Sequence, residues 1–312
     1  MRKVTVVGAG MVGSTVAMRI AESGLADVAL IDIQGDLARG KALDISQALP
    51  LAGSSSSVEG GEDYRLAEGS EVVVVTAGFP RQPGMSRADL MGRNAEVVRK
   101  VVESAAAAAP ESVIIMVTNP LDEMSYLAWR VTGWDRHRVM GMAGLLDGSR
   151  LAFLAAREVG AHPAQVQPTV LGSHGEAMLP LPRFTTVAGV PLDQLLPPRK
   201  VQELCERTRE GGAEIVSLLK TGSAYYAPSA CAARMVEAVL RDEEYLVTAS
   251  VLLDGEYGLK GVFMGVPVVL GAGGWKRVVE LPLNGEELRA LEECARLIGG
   301  RMEELDGWLA RS

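Results

Sequence analysis

Short runs of consecutive apolar residues alternate with longer helix-like stretches through the first half of the chain. The apolar runs lie at 3–7, 28–31, 71–76, 112–117 and 138–141, and the helix-like stretches end near residue 23 or cover about 36–48, 86–109 and 122–132. Strands that are apolar throughout are buried on both faces, as in a parallel sheet that helices cover on both sides. The pattern therefore predicts an α/β fold built on a doubly wound parallel sheet.

The second half of the chain has a different pattern. Its strand-like runs lie at 166–171, 245–253 and 262–270. Its long helical patterns lie at 198–219, 224–240 and 284–310, and its glycine-rich turns lie at 255–261 and 271–274. Strands followed by strands, with helices segregated from them, are typical of an α+β unit. We expect two domains, 1–144 and 145–312, with the seam near 143–148.

Composition narrows the class of protein. Hydrophobic residues make up 48% and charged residues 22% of the 312 residues, as in soluble globular proteins. The net charge of −8 argues against a nucleic-acid partner. No signal peptide and no membrane-length apolar run is evident, and three widely spaced cysteines and three histidines show no metal-site or disulfide spacing. We expect a cytoplasmic protein that binds neither membrane nor metal.

A glycine-rich motif follows the first strand and opens a helix. It comprises Gly8, Ala9, Gly10, Met11, Val12 and Gly13. Such a motif binds a dinucleotide pyrophosphate at the helix N-terminus, and here Asp32 ends the second strand, where an acid accepts hydrogen bonds from ribose hydroxyls. A carboxylate repels a 2′-phosphate, so NAD is favoured over NADP. The alternative is a glycine turn without a ligand.

Polar residues follow the fourth strand, at the edge of the sheet where ligands bind. Val117, Thr118 and Asn119 precede Pro120. The Asn119 amide could contact both cofactor and substrate. An asparagine turn before proline explains the same residues equally well.

A loop at 78–87 carries two arginines, Arg81 and Arg87, between glycines and prolines. Guanidinium groups bind carboxylates through two parallel hydrogen bonds. Two of them indicate a substrate with one carboxylate and a second negative feature. A solvated basic loop is the alternative interpretation.

His174 lies between two glycines after an apolar strand, where its ring is accessible for proton transfer. Asp147 and Arg150 are three residues apart at the start of a predicted helix and so share one face. Asp147 could orient His174, and Arg150 could bind a carboxylate. A plain loop histidine and an acidic helix start are the alternatives. His137 and His162 lack such partners in the sequence and are interpreted as surface residues.

These motifs together resemble the lactate/malate dehydrogenase family over essentially the whole chain, and within it the malate dehydrogenases of the lactate-dehydrogenase-like type. The matching segments are 8–13, Asp32, 79–87, 117–120, 142–150, 171–176, 207–216 and 222–228. The resemblance implies a Rossmann NAD-binding domain at 1–144 followed by a catalytic α+β substrate domain at 145–312. It also implies NAD-dependent, reversible conversion of (S)-malate to oxaloacetate.

The resemblance also implies a role for each catalytic side chain. His174 takes the hydroxyl proton, and Asp147 orients and stabilises the imidazolium. Arg150 anchors the C1 carboxylate, and Arg87 polarises the carbonyl. Arg81 lies where lactate-specific relatives have glutamine, so it pairs with the second carboxylate.

Other implied contacts involve amides. Asn119 contacts substrate and cofactor, and Asn94 contacts the cofactor or substrate beside the loop. One residue departs from the family pattern, since Glu176 replaces the usual aspartate of His-Gly-Asp. The longer side chain is expected to alter packing around His174 without removing the proton carrier.

Two alternative functions remain open. One is a lactate or other 2-hydroxyacid dehydrogenase. Arg81 is the residue that distinguishes a malate dehydrogenase from this alternative. The other is a non-catalytic NAD-binding redox sensor, against which the set of His174, Asp147, Arg150 and Arg87 argues. The resemblance further implies a homodimer or homotetramer and a place in the tricarboxylic acid cycle.

Overall fold

The computed structural model describes residues 2–79, 87–175 and 177–311, without the side chains of residues 87–89. The strands are β1 (Lys3–Val7), β2 (Asp27–Ile31), β3 (Val58–Gly61), β4 (Val72–Val75), β5 (Val113–Met116), β6 (Val139–Gly141), β7 (Val166–Gln167), β8 (Val170–Gly172), β9 (Met178–Pro180), β10 (Thr186–Val187), β11 (Val190–Pro191), β12 (Tyr245–Asp254), β13 (Lys260–Gly271) and β14 (Gly274–Val278). The helices are α1 (Met11–Glu22), α2 (Gly35–Ala52), α3 (Arg87–Ala108), α4 (Leu121–Thr132), α5 (Gly144–Val159), α6 (Leu192–Leu195), α7 (Pro198–Leu219), α8 (Tyr226–Arg241) and α9 (Gly285–Leu309).

The first six strands form a parallel sheet in the order β3-β2-β1-β4-β5-β6. Strands β4 and β5 are buried along their whole length, as their unbroken apolar runs predict; all four residues of β4 are inaccessible to solvent. The predicted doubly wound sheet is confirmed. The strand order reverses between β1 and β4, and the crevice beyond the carboxyl ends of these strands is where such sheets bind ligands.

The sheet continues into the second half of the chain. Strand β12 pairs antiparallel with β6 at Ser250 and Gly141, and β13, β8 and β9 follow. Strand β14 pairs with β13 beside this series, so that eleven strands of the described residues form one mixed sheet. A separate three-stranded sheet has the order β11-β10-β7. The pattern of the sequence indicated β8, β12 and β13, but not β3, β9, β10, β11 and β14, which are five residues or shorter. In β3 and β14, glycine and charged residues replace the run of apolar residues that marked the predicted strands.

Helix α5 begins in close contact with the strands of the second half. A Cβ atom built on Gly144 would lie 2.6 Å from the carbonyl oxygen of Val170 and 2.3 Å from a methyl carbon of Thr248. Only glycine leaves room for this approach. The first turn of α5 is thereby placed beside β8, which ends two residues before His174.

His137 and His162 have other neighbours, whereas Cys294 borders this region and accepts a 3.0 Å hydrogen bond from the N–H of Ser173. His162 is exposed, as expected, but His137 has partners: its Nδ1 is 2.6 Å from Asp135, and its ring lies against Trp275. The sequence interpretation overlooked Asp135, two residues before His137, and could not show Trp275, which comes from a distant strand. His137 nevertheless lies at the surface, as expected, with its side chain 39% exposed. All three cysteines are buried, and none of them forms a disulfide.

The described residues contain neither a membrane-spanning helix nor a cluster of metal-binding side chains. No helix among them has the length and apolar character to cross a bilayer. No cluster of three or more histidine, cysteine and acidic side chains in the same part of the chain is placed to hold a metal ion.

The close approach of α1 to β1 makes a prediction for stability. A Cβ on Gly13 would lie 1.8 Å from the carbonyl oxygen of Gly8, which is backbone and cannot rotate away. We expect Gly13→Ala to lower the free energy of unfolding by about 3 kcal/mol, measured by urea denaturation. Gly40→Ala in helix α2 is the control, since no described atom lies within 4 Å of its Cβ position. That variant should be about 0.5–1 kcal/mol more stable. A Gly13→Ala protein as stable as the wild type would contradict the packing argument.

Candidate active site

The glycine-rich turn joins β1 to α1 at the crevice. Gly8 has φ +106°, in the region that favours glycine, and its Cβ position is 2.7 Å from the backbone nitrogen of Ala77. Gly10 differs, because no described atom lies within 4 Å of its Cβ position. Gly10 is also the N-cap of α1 and supplies no side-chain cap, so the first N–H groups of the helix face the crevice without a side-chain acceptor. This arrangement fits the pyrophosphate of a dinucleotide.

Asp32 is bonded to the glycine-rich turn itself. Its Oδ2 accepts a 2.6 Å hydrogen bond from the N–H of Ala9, and its Oδ1 accepts one of 2.9 Å from the N–H of Gln34. Lys41 Nζ donates to the carbonyl oxygen of Ala9 at 2.7 Å. The carboxylate therefore fixes the turn from the end of β2. It also places negative charge beside the position where a dinucleotide ribose binds in this kind of fold.

The polar residues at the ends of β4 and β5 are tied together. Thr118 Oγ1 donates to the carbonyl oxygen of Ala77 at 2.8 Å. The fully buried Asn94 accepts from Phe79 N–H at 2.7 Å and donates to the carbonyl oxygen of Asn119 at 2.6 Å. Both polar ends of the Asn94 side chain are thus used to hold backbone. Asn119 is exposed to the crevice.

His174, Asp147 and Arg150 come together as their spacing suggested. His174 Nδ1 is 2.8 Å from Asp147 Oδ2, and Arg150 Nη1 donates to Asp147 Oδ1 at 3.1 Å. The Asp147 side chain is 2% exposed, that of His174 13% and that of Arg150 16%. Helix α5 supplies the acid and the arginine, and the loop after β8 supplies the histidine. With Nδ1 turned to Asp147, Nε2 is the ring nitrogen left for a reacting group.

A second acid supports His174 from another helix. Asp122, in the first turn of α4, accepts a 3.0 Å hydrogen bond from the N–H of His174 through Oδ2 and one of 2.7 Å from Ser250 Oγ through Oδ1. Burial and the adjacent Glu123 carboxylate raise the pKa of Asp122 to about 6, against the Ser250 hydrogen bond and the His174 charge, which lower it. The fully buried Glu123 is paired with Arg301 of α9 at 2.9 Å.

Asp147 and Asp122 oppose the effect of burial on the pKa of His174. Burial lowers the pKa of His174, but the charge and hydrogen bond of Asp147, together with the charge of Asp122, outweigh it. Arg150 has a lowering effect that is smaller still. The net pKa of His174 is raised, which favours the imidazolium.

Sequence reasoning missed Asp122 and Ser250. Asp122 follows Asn119 and Pro120 at the same strand end, so its position at the ligand edge was a usable signal. Ser250 gave no signal, because its place opposite Asp122 depends on the pairing of β12 with β6.

Some predicted site residues lie outside the described part of the chain. Arg81 and Glu176 are in segments that are not described, and for Arg87 only the backbone is described, as the first residue of α3. Their predicted contacts stay predictions.

Models of two protein domains match this chain. The lactate/malate dehydrogenase NAD binding domain matches residues 2–141, and the lactate/malate dehydrogenase alpha/beta C-terminal domain matches residues 145–305. The two matches together cover nearly the whole chain.

Individual proteins are similar over the same length. A malate dehydrogenase of Roseiflexus sp. (strain RS-1) is 47% identical over 303 residues, which are 97% of this chain and 98% of that protein. The structure of malate dehydrogenase from Salinibacter ruber has a TM-score of 0.94 and 42% identity, with 99% of each chain covered. The lactate dehydrogenase of Cryptosporidium parvum, complexed with lactic acid and nicotinamide adenine dinucleotide, has a TM-score of 0.95 and 37% identity, with 98% of each chain covered. The fold alone therefore does not separate the two substrates.

The open space at Gly10 makes a prediction for cofactor binding. Because a Cβ there meets no described atom, we expect Gly10→Ala to leave the free energy of unfolding unchanged within about 0.5 kcal/mol. The added methyl group occupies the path of the pyrophosphate, so the dissociation constant for NADH should rise about tenfold or more. Titration calorimetry with NADH measures it. Unchanged NADH affinity in a folded variant would show that the dinucleotide does not pass over Gly10.

Proposed function

The chain belongs to the lactate/malate dehydrogenase family, and from this premise we propose that it is an NAD-dependent malate dehydrogenase. It oxidises the CH–OH group of (S)-malate reversibly to the carbonyl of oxaloacetate. The observation that carries the chemistry is the His174–Asp147–Arg150 cluster, in which one buried carboxylate holds a proton carrier and a carboxylate-binding group. The malate dehydrogenases to which the chain is similar over nearly its full length support this substrate.

The cofactor site is assigned to the Rossmann crevice. Its residues are Gly8, Ala9, Gly10, Met11, Val12, Gly13, Asp32, Asn94, Val117, Thr118 and Asn119. When bound there, NAD supplies the acceptor for the hydride that leaves C2 of malate. Asp32 disfavours a 2′-phosphate by its charge, and Asn94 acts on the cofactor site through the backbone of Phe79 and Asn119, which it holds.

His174 is the proton carrier. Its Nε2 takes the proton of the malate hydroxyl and returns it when oxaloacetate is reduced. Asp147 keeps the other ring nitrogen protonated and stabilises the imidazolium that forms, as the raised pKa of His174 indicates. Asp122 holds the His174 backbone in place and adds to the same stabilisation.

The arginines divide the substrate between them. Arg150 binds the C1 carboxylate through two parallel hydrogen bonds. A further hydrogen bond, from its Nη1 to Asp147, holds the side chain in place. Arg87 polarises the carbonyl oxygen of oxaloacetate. Arg81 binds the second carboxylate and makes the site selective for a dicarboxylate. Asn119, at the exposed end of β5, contacts substrate and cofactor.

Two alternatives are less well supported. A lactate dehydrogenase, or a dehydrogenase of another 2-hydroxyacid with one carboxylate, would leave the positive charge of Arg81 without a substrate partner. A non-catalytic redox sensor needs no proton carrier, yet His174 is bonded to a buried acid.

The wider context of the enzyme is also a proposal. We propose two domains, 1–144 and 145–312, and a homodimer or homotetramer; exposed Leu43 and Leu51 on α2 and Leu218 on α7 are apolar surface that association would cover. Cysteines that are buried and form no disulfide are compatible with a cytoplasmic enzyme of the tricarboxylic acid cycle.

The substrate assignment is tested by comparing oxaloacetate with pyruvate. We expect the wild-type enzyme to oxidise NADH with oxaloacetate at a far higher kcat/KM than with pyruvate. Arg81→Gln should shift this preference toward pyruvate by about 3 kcal/mol, or about 100-fold, because a carboxylate is left unpaired in the site. The measurement is the initial rate of NADH loss with each substrate.

Three results would count against the assignment. No turnover with either substrate would favour the redox sensor. Faster turnover of pyruvate by the wild type would favour a lactate dehydrogenase. An unchanged ratio of kcat/KM values in Arg81→Gln would show that Arg81 does not select the substrate.

The raised pKa of His174 makes a prediction for pH dependence. Reduction of oxaloacetate requires the imidazolium, so its kcat/KM falls as the pH rises through the pKa of His174. Asp147→Asn removes the charge that raises this pKa, and the fall should move to lower pH by about one unit or more. The rise of malate oxidation with pH should move in the same direction. Asp135→Asn, which alters the exposed pair with His137, is the control and should leave both profiles in place.

A further inference from the structure

Two consecutive glycines lie inside a long helix near the candidate active site. Gly211 and Gly212 lie in the interior of α7, which spans 22 residues. Each interior glycine makes a helix about 1 kcal/mol less stable than alanine would. Both are half-buried, so a crowded core does not require them. A close approach by another group is the usual reason for such a glycine.

The side chain of Arg150 makes that approach. A Cβ built on Gly211 would lie 3.0 Å from Arg150 Cδ, 3.4 Å from Nε and 3.7 Å from Cγ. One built on Gly212 would lie 3.6 Å from Nη2 and 3.9 Å from Nη1. The arginine therefore lies along the bare backbone of α7. A methyl group at residue 211 would displace it by a few tenths of an ångström.

Little else fixes Arg150 on this side. Its Nη1 is bonded to Asp147, but its Nε is buried and has no hydrogen-bond partner among the described residues. Within the described part of the chain, one hydrogen bond at Nη1 and the close approach to α7 at Gly211 therefore hold the guanidinium.

We propose that Gly211 and Gly212 form a notch in α7 that positions Arg150 and thereby sets where the substrate carboxylate is bound. The inference rests on the proposed function, in which Arg150 binds that carboxylate. A fork of two parallel hydrogen bonds is sensitive to small displacements of the guanidinium. Gly211 and Gly212 are positioning residues, because they contact Arg150 and act through it.

The test separates positioning from helix stability by a matched control. Gly211→Ala and Gly212→Ala are compared with Gly299→Ala in α9, a half-buried glycine inside a helix with no described atom within 4 Å of its Cβ position. All three should have a Tm equal to or above that of the wild type, since alanine favours the helix. A merely structural glycine would show nothing more.

The kinetic effect should follow the distances. We expect Gly211→Ala to raise KM for oxaloacetate about tenfold, and Gly212→Ala, with its looser contacts, to raise it less. Gly299→Ala should match the wild type, and KM for NADH should be unchanged in all three. The proposal is overturned if Gly211→Ala has the same KM as Gly299→Ala, or if its Tm falls together with its kcat.

A second background tests whether the effect passes through Arg150. In an Arg150→Ala enzyme, adding Gly211→Ala should change KM for oxaloacetate no further, because the displaced side chain is gone. An additional rise in the double variant would overturn the proposal.

Failure of the proposed function would be seen separately. If the wild type turned over neither oxaloacetate nor pyruvate, the function would be wrong, and the notch would be tested by binding of oxalate to the NADH-loaded protein. Calorimetry should then show about tenfold weaker oxalate binding in Gly211→Ala than in Gly299→Ala. Equal binding would overturn the proposal.

Discussion

The buried carboxylate of Asp147 is the constraint on which the site depends. Burying a carboxylate to 2% exposure is costly unless it is paired and hydrogen-bonded, and His174 and Arg150 pair with it, one at each oxygen. Because a single carboxylate carries both contacts, the group that moves a proton and the group that binds a carboxylate have a fixed separation. The close approach of α5 to β8 at Gly144 brings that carboxylate to the histidine.

A second set of buried charges connects this site to the rest of the molecule. Asp122 reaches His174 from α4 and Ser250 from β12, while its neighbour Glu123 is neutralised by Arg301 of α9. Elements from both halves of the chain therefore meet at one point behind the histidine. The pairing of β6 with β12 joins the strands of the two halves into one sheet. This sheet fixes the relative positions of the elements that carry Asp122, Ser250 and His174.

The sequence predicted the parts of the structure that depend on local pattern. The run at Val72–Val75 indicated a buried strand, and the spacing of Asp147 and Arg150 placed both on one helix face. The glycines around His174 indicated an exposed ring, but its side chain is 13% exposed. The sequence could not predict Ser250 opposite Asp122, which requires the pairing of distant strands. Nor did the pair at Gly211 and Gly212 reveal its reason, because the group that fills the space comes from another helix.

The contrast between Gly10 and Gly13 has a consequence for how such a chain diverges. A side chain at position 13 meets the protein's own backbone, whereas a Cβ at position 10 has no described atom within 4 Å. In a descendant that abandoned its cofactor, purifying selection would relax at position 10 while it persisted at position 13. Within one short motif, the glycine at position 13 is thus constrained by the fold, and the glycine at position 10 is constrained by the ligand.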